Sequence, residues 1–152
     1  MKKINIKKVL TFIGVFLIYI IPYLILPMDK EFYNSLNKIN IPPFVYIIVW
    51  TGLYLLFSFY FVRILPHLNK TNLRLIVYTI LNYIFNVGFY VSFFVLKQLF
   101  IPFVFCALSF LMIIFLWMET YILDKKSSYL LIPNIIWSGF ATFLSLFIFL
   151  NN

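Results

Sequence analysis

Residues 101–118 read IPFVFCALSFLMIIFLWM. No charge interrupts this run, and polar residues do not alternate with apolar ones along it. A strand of a membrane barrel alternates over about ten residues. A chain crossing lipid must pair every backbone N–H and C=O internally, so a segment that is not a barrel strand is a helix. The uncharged stretch 98–118 is long enough to cross a hydrocarbon core of about 30 Å, which takes roughly 20 helical residues. The aromatic and β-branched residues would favour a strand in water, but that preference is weak beside the backbone constraint in lipid.

The same reading extends in both directions. Charged residues divide the chain into the uncharged stretches 9–28, 39–62, 75–96, 98–118 and 127–152, each long enough to cross. The sequence predicts helices over about 9–28, 43–63, 74–96, 98–122 and 128–150. The expected fold is all-α: a polytopic membrane protein, one five-transmembrane-helix bundle over residues 1–152. Composition agrees, with 64% hydrophobic, 22% aromatic and 11% charged residues and mean hydropathy +1.04. Soluble domains hold roughly 45–50% apolar and about 25% charged residues. A soluble chain this short has too little interior to hide such a surface. No internal repeat, low-complexity linker or second domain is visible.

Lys2, Lys3, Lys7 and Lys8 before an apolar run resemble a signal peptide. The run is longer than a signal core and no small-x-small cleavage site closes it, so the expectation is an uncleaved first helix. With five crossings, one side of the membrane holds Lys2, Lys3, Lys7, Lys8, Arg63, Lys70, Arg74, Lys125 and Lys126. The other holds Lys30, Lys38 and Lys97. This split places the N-terminus in the cytoplasm and the C-terminus outside. The net charge of +8 is thus a topology signal that also attracts anionic headgroups. It does not point to nucleic acid, because the charges flank membrane segments.

Ordinary catalytic parts are missing. The single cysteine, Cys106, excludes an internal disulfide and a thiolate metal cluster. His67 falls in a short basic loop and reads as solvated. There is no Gly-rich phosphate loop, His-x-x-x-His pair or nucleophile elbow, and no metal site is expected. Glu119 alone among the carboxylates borders a membrane segment; it reads as interfacial, with a proton-coupling carboxylate as the sharper alternative. Residues 29–41 form the one long loop and are expected to fold over a mouth of the bundle, with Pro42-Pro43 starting the next helix.

The polar groups inside the helices are neutral. Asn82 and Asn86 share a face of the third segment, and Asn134, Ser138, Thr142 and Ser145 form a stripe on the fifth. Two readings stay open. The stripes are glue between helices, or they orient a ligand in a cavity walled by Trp50, Tyr54, Phe85, Phe89 and Trp137. Trp117 reads as part of an interfacial belt.

Residues 130–144, LLIPNIIWSGFATFL, resemble the TspO/MBR family pattern L-L-[IV]-P-Y-x-x-W-x-x-F-A-T-[YF]-L. Residues 49–54, VWTGLY, match V-W-x-x-L-Y, and residues 32–38, FYNSLNK, resemble W-Y-x-x-L-x-K-P. Leu81-Asn82 and Phe89-Tyr90 add a block on the third helix, and all blocks run in family order. Departures are Phe32 and Phe44 for Trp, Phe85 for Trp, Ile39 for Pro and Asn134 for Tyr. Phe143 replaces the tyrosine of the cholesterol-recognition segment and no Lys or Arg follows it, so cholesterol binding is not inferred.

The resemblance implies an integral protein of the bacterial cell membrane that binds porphyrins, other tetrapyrroles and related hydrophobic ligands. A sensory, transport or light-dependent porphyrin-degrading role goes with it. By matched position the ligand contacts are Tyr33, Trp50, Asn82, Phe89, Cys106, Trp137 and Ala141. Trp50 and Trp137 are the candidates for light-driven electron transfer; no acid–base or metal catalysis is implied. Protoporphyrin or haem is expected as ligand, with no obligatory cofactor. The expected partners are the lipid bilayer, a hydrophobic small molecule and a second copy of the chain as a homodimer. Two rivals remain: a small proton- or ion-coupled transporter built on Glu119, and an accessory subunit of a membrane complex whose stripe at 134–145 faces a partner helix.

Overall fold

The computed structural model describes residues 6–68 and 72–152. Lys2, Lys3 and Lys70 of the basic count lie outside the described residues. Among the described residues, five helices are long and apolar enough to cross a membrane. They are α1 (Ile6–Ile25), α3 (Pro43–Ile64), α4 (Leu73–Tyr90), α5 (Phe100–Leu123) and α7 (Ile132–Asn151). A short α2 (Lys30–Ser35) sits in the long loop, and α6 (Lys125–Ser128) precedes α7. No strand occurs among the described residues. The chain is an integral membrane protein of the expected five-helix class.

The helix ends follow local chemistry. α1 starts at Ile6 and takes in Lys7 and Lys8, whose long stems let the ammonium groups reach the interface. It stops at Ile25, short of the expected 28, because the residue before Pro27 is disfavoured in a helix. α3 begins on Pro43, where the missing N–H needs no partner. α4 ends at Tyr90 and continues as a π-turn, Val91–Val95. There Ser92 Oγ donates to the carbonyls of Gly88 and Phe89 at 2.7 and 3.1 Å.

α1 packs on α3 and α4, α4 packs on α5, and α5 packs on α7. α3 and α7 complete the ring but touch chiefly at one end, through α6 and the turn Tyr129–Leu131. The bundle is densest at that end. Tyr60, Ile64, Leu75, Ile113, Leu116 and Leu131 are buried together there. The Tyr60 hydroxyl donates to Thr120 Oγ1 at 2.9 Å, and Thr120 donates onward to the Leu116 carbonyl at 2.7 Å. Arg63 joins α3 to α6 through Ser127 Oγ at 3.0 Å and approaches Asp124 at 3.6 Å. The Ser127 hydroxyl, the neighbouring backbone N–H groups and Arg63 hold the Asp124 carboxyl below its ordinary pKa. Arg74 pairs with Glu119 at 3.3 Å, tying α4 to α5.

The outside of the bundle is apolar. Leu24, Ile47, Ile84, Ile122 and Leu150 all point away from the core, as lipid-facing residues do. Burial therefore predicts mutational cost. Ile113→Ala, at 0% exposure, should lower stability in detergent by about 2–4 kcal/mol. Ile122→Ala, at 84% exposure, should change it by less than about 0.5 kcal/mol. Thermal unfolding followed by circular dichroism compares the two.

Candidate functional site

Adjoining the core on the side of the long loop, aromatic side chains take over, with Tyr54 part of the core and Trp50 and Tyr23 packed against it. Trp50 of α3 and Trp137 of α7 meet edge to face, ring centroids 6.3 Å apart and planes at 89°. They bridge the two helices that otherwise make little contact. Around them, Tyr54 lies 5.7 Å and Tyr23 6.3 Å from Trp50, and Tyr46 lies 6.1 Å from Trp137. Residues 50 and 54 are four apart on α3, so one helix face presents both rings.

The loop carrying α2 closes over this array. Asp29 caps α2, its Oδ1 accepting from the Phe32 N–H at 2.9 Å. The cap sets the helix so that Tyr33 turns inward. Its hydroxyl is 3.5 Å from that of Tyr46, and its ring lies 6.4 and 6.3 Å from Phe93 and Phe94 of the π-turn. Lys38 donates to the Tyr33 carbonyl at 2.6 Å and sits 4.5 Å over the Tyr33 ring. Further along, Asn37 N–H donates to Asn152 Oδ1 at 2.8 Å, and Asn152 Nδ2 returns a bond to the Asn37 carbonyl at 3.0 Å. Asp29 Oδ2 pairs with Lys97 Nζ at 2.7 Å, and this ammonium, with the Phe32 N–H, holds the Asp29 carboxyl below its ordinary pKa.

Four of the seven expected contacts form one connected surface. Trp50 touches Trp137, Trp137 reaches Tyr33 through Tyr46, and Phe89 stacks on Phe93 at 5.7 Å, which meets Tyr33. Ala141 is half-buried one turn beyond Trp137 on α7. Cys106 is buried on α5. Asn82 is buried on α4, and its Nδ2 donates to Ser109 Oγ at 2.9 Å and to the Ser109 carbonyl at 3.1 Å. Asn86 joins them, donating to Ser109 Oγ at 2.8 Å and to the Asn82 carbonyl at 2.8 Å. The amide pair thus clasps α4 to α5. Phe85 stacks on Phe105 at 6.1 Å, on the α5 side.

Among the described residues four buried side-chain groups lack a partner: those of Tyr19 and Trp117 in the core, and two in the array, the Trp137 Nε1–H and the Tyr54 hydroxyl. A donor in apolar surroundings without an acceptor is costly, so both are poised for an acceptor brought by a ligand. Trp117 also turns its Nε1 inward and packs against the core, unlike a belt residue. A separate cavity of about 540 Å3 opens between α4 and α5, lined by Ile84, Val87, Gly88, Leu96, Ile101 and Phe105 among others. None of the seven expected contacts lines it. Its rim residues Ile84, Leu96 and Ile101 face outward, and its polar side chains are Tyr83 and Ser92, the latter already bonded to backbone carbonyls. The aromatic array is the better candidate.

Sequence reading missed Tyr23, Tyr46, Phe93 and Ser109. Ser109 has a signal in hindsight, since it is the one hydroxyl residue within 101–118. The tyrosines do not stand out among 11. The α7 stripe bonds internally, with Thr142 Oγ1 donating to the Ser138 carbonyl at 2.8 Å. Ser138 and Ser145 are buried within the bundle, which removes the support for an outward partner helix. Glu119 is spent on Arg74 at a helix end, which removes the support for a coupling carboxylate. Asn82→Leu breaks the clasp and should cost about 1–3 kcal/mol of stability. Thermal unfolding followed by circular dichroism measures the loss.

The sequence model described as TspO/MBR family matches residues 9–150. The chain is 32% identical over 141 residues to the tryptophan-rich protein TspO of Bacillus cereus, covering 91% of this chain and 92% of that protein. It is 30% identical over 143 residues to the membrane protein YtaB of Bacillus subtilis, covering 88% and 92%.

Proposed function

Because the chain belongs to the TspO/MBR family, we propose that it binds porphyrins and related flat, hydrophobic ligands in the aromatic array between α3 and α7. The observation that supports this most is the Trp50–Trp137 contact with the unpaired Trp137 N–H beside it. Indole and phenol faces suit a planar conjugated ring. The free N–H and the Tyr54 hydroxyl suit its few polar atoms, whether ring nitrogen, carbonyl or carboxylate. α3 and α7 make little direct contact here, so a ring enters by parting side chains and leaves backbone packing intact. Ala141 leaves a shelf one turn from Trp137.

Quenching of tryptophan fluorescence by protoporphyrin in detergent tests the reading. Wild type should quench saturably. Trp137→Phe should weaken binding about 5- to 100-fold through loss of one paired donor and part of a wall. Ala141→Phe fills the shelf and should abolish binding without unfolding the bundle. Wild-type affinity in Ala141→Phe would remove α7 from the site.

We further propose that the N-terminus faces the cytoplasm. Lys7, Lys8, Arg63, Arg74, Lys125 and Lys126 gather at one end of the described bundle, and Lys30, Lys38 and Lys97 at the other. In a Cys106→Ala background, a cysteine at position 126 should react with an impermeant maleimide only after the membrane is opened. A cysteine at position 38 should react in intact cells. The reverse pattern inverts the topology.

A further inference from the structure

The two carboxylate oxygens of Asp29 do separate work. Oδ1 caps α2 through the Phe32 N–H at 2.9 Å, and Oδ2 meets Lys97 Nζ at 2.7 Å. Lys97 is the one described non-glycine residue with positive φ, at 55°. It occupies the capping position after the π-turn, where the Gln98 N–H closes onto the Ser92 carbonyl at 2.9 Å. That left-handed position ordinarily takes glycine, and a side chain there is a backbone cost. The local backbone gains nothing from lysine, whereas the loop across the mouth gains an ion pair.

The same turn supplies Phe93 and Phe94 to the Tyr33 ring. Charge and aromatic contacts thus meet α2 from one short segment. The far end of the loop is held separately by the Asn37–Asn152 pair. α2 is therefore anchored at two ends by unlike bonds, with Tyr33 between them and its hydroxyl 3.5 Å from that of Tyr46.

We propose that the Asp29–Lys97 ion pair is a latch that sets how often α2 lifts from the mouth of the aromatic site, and so governs the escape of whatever occupies it. The role of gate rests on the ligand-binding reading above; the latch itself does not. Both side chains are partly exposed, Lys97 by 54% and Asp29 by 31%. Pairs of this kind contribute modestly to stability, which suits a contact that opens and closes while the fold stays intact. Lys97 retains Asp29 even though glycine would better suit its backbone.

Asp29→Asn isolates the latch, because the amide oxygen still caps α2 while the charge is gone. Lys97→Met removes the other partner, and Lys97→Arg restores a cation. Hydrogen exchange of the amides from Phe32 to Lys38, measured on ligand-free protein, reads opening directly. Asp29→Asn and Lys97→Met should each raise exchange about three- to fivefold, the effect of a surface ion pair. The double variant should be no faster than either single one, since both remove one interaction, and Lys97→Arg should exchange as wild type does. Stopped-flow release of protoporphyrin should accelerate by the same factor in the same variants, with the association rate little changed.

Unchanged exchange in the single variants, or additive effects in the double, overturns the latch. Faster exchange with unaltered protoporphyrin release overturns its control of the site while leaving the latch. Absence of saturable quenching in wild type is a failure of the binding proposal alone, and the ligand-free exchange data still decide the latch.

Discussion

Hydrocarbon offers no partner to a backbone N–H or C=O, and the rest of the structure depends on that constraint. It makes five helices out of a sequence whose side chains would favour strands in water. It also fits the helix start on Pro43, whose missing N–H needs no partner, and the π-turn, where Ser92 bonds the carbonyls of Gly88 and Phe89. The same economy governs the side chains, with Asn82, Asn86 and Ser109 closing one compact clasp between α4 and α5. Against that background, the unpaired Trp137 N–H and Tyr54 hydroxyl are exceptions, as are those of Trp117 and Tyr19 in the core, and the first two belong to the aromatic array.

The two ends of the bundle are built differently. One is joined by Arg63, Arg74 and the Tyr60–Thr120 bond around a core of aliphatic and aromatic side chains. The other is joined by ring contacts and a polar loop. Ring contacts can re-form in new pairings around a guest, whereas buried hydrogen bonds cannot be broken in lipid without cost. This division supports placing exchange of a hydrophobic ligand at the loop end.

Much of this was legible in the sequence, for stated reasons. The helices were visible because charge is costly in lipid, so charged residues mark the borders. The loop over the mouth was visible in its length, and Trp50 and Trp137 in two stretches that match the family pattern. Helix ends were less so, because Lys7 and Lys8 extend a helix that a charge count would start at Val9. The partners of the named residues were hidden. Nothing in a pattern says that Asn82 will spend its amide on Ser109, or that Tyr46 will link Tyr33 to Trp137, because such pairings depend on how helices rotate against one another. Trp117 shows the same limit: its position near a helix end suggested the interface, and the rotation of α5 turns its N–H inward.

The uneven packing has a mechanical consequence. A bundle tied by hydrogen bonds at one end and by ring contacts between α3 and α7 has the form of a pair of tweezers, with the Arg63–Ser127 and Tyr60–Thr120 bonds at the pivot and Trp50 and Trp137 partway along the arms. Small rotations at the pivot become larger separations at the tips. Any parting of α3 from α7 displaces the lipid packed against their outer faces, so the stiffness of that lipid adds to the cost of separation.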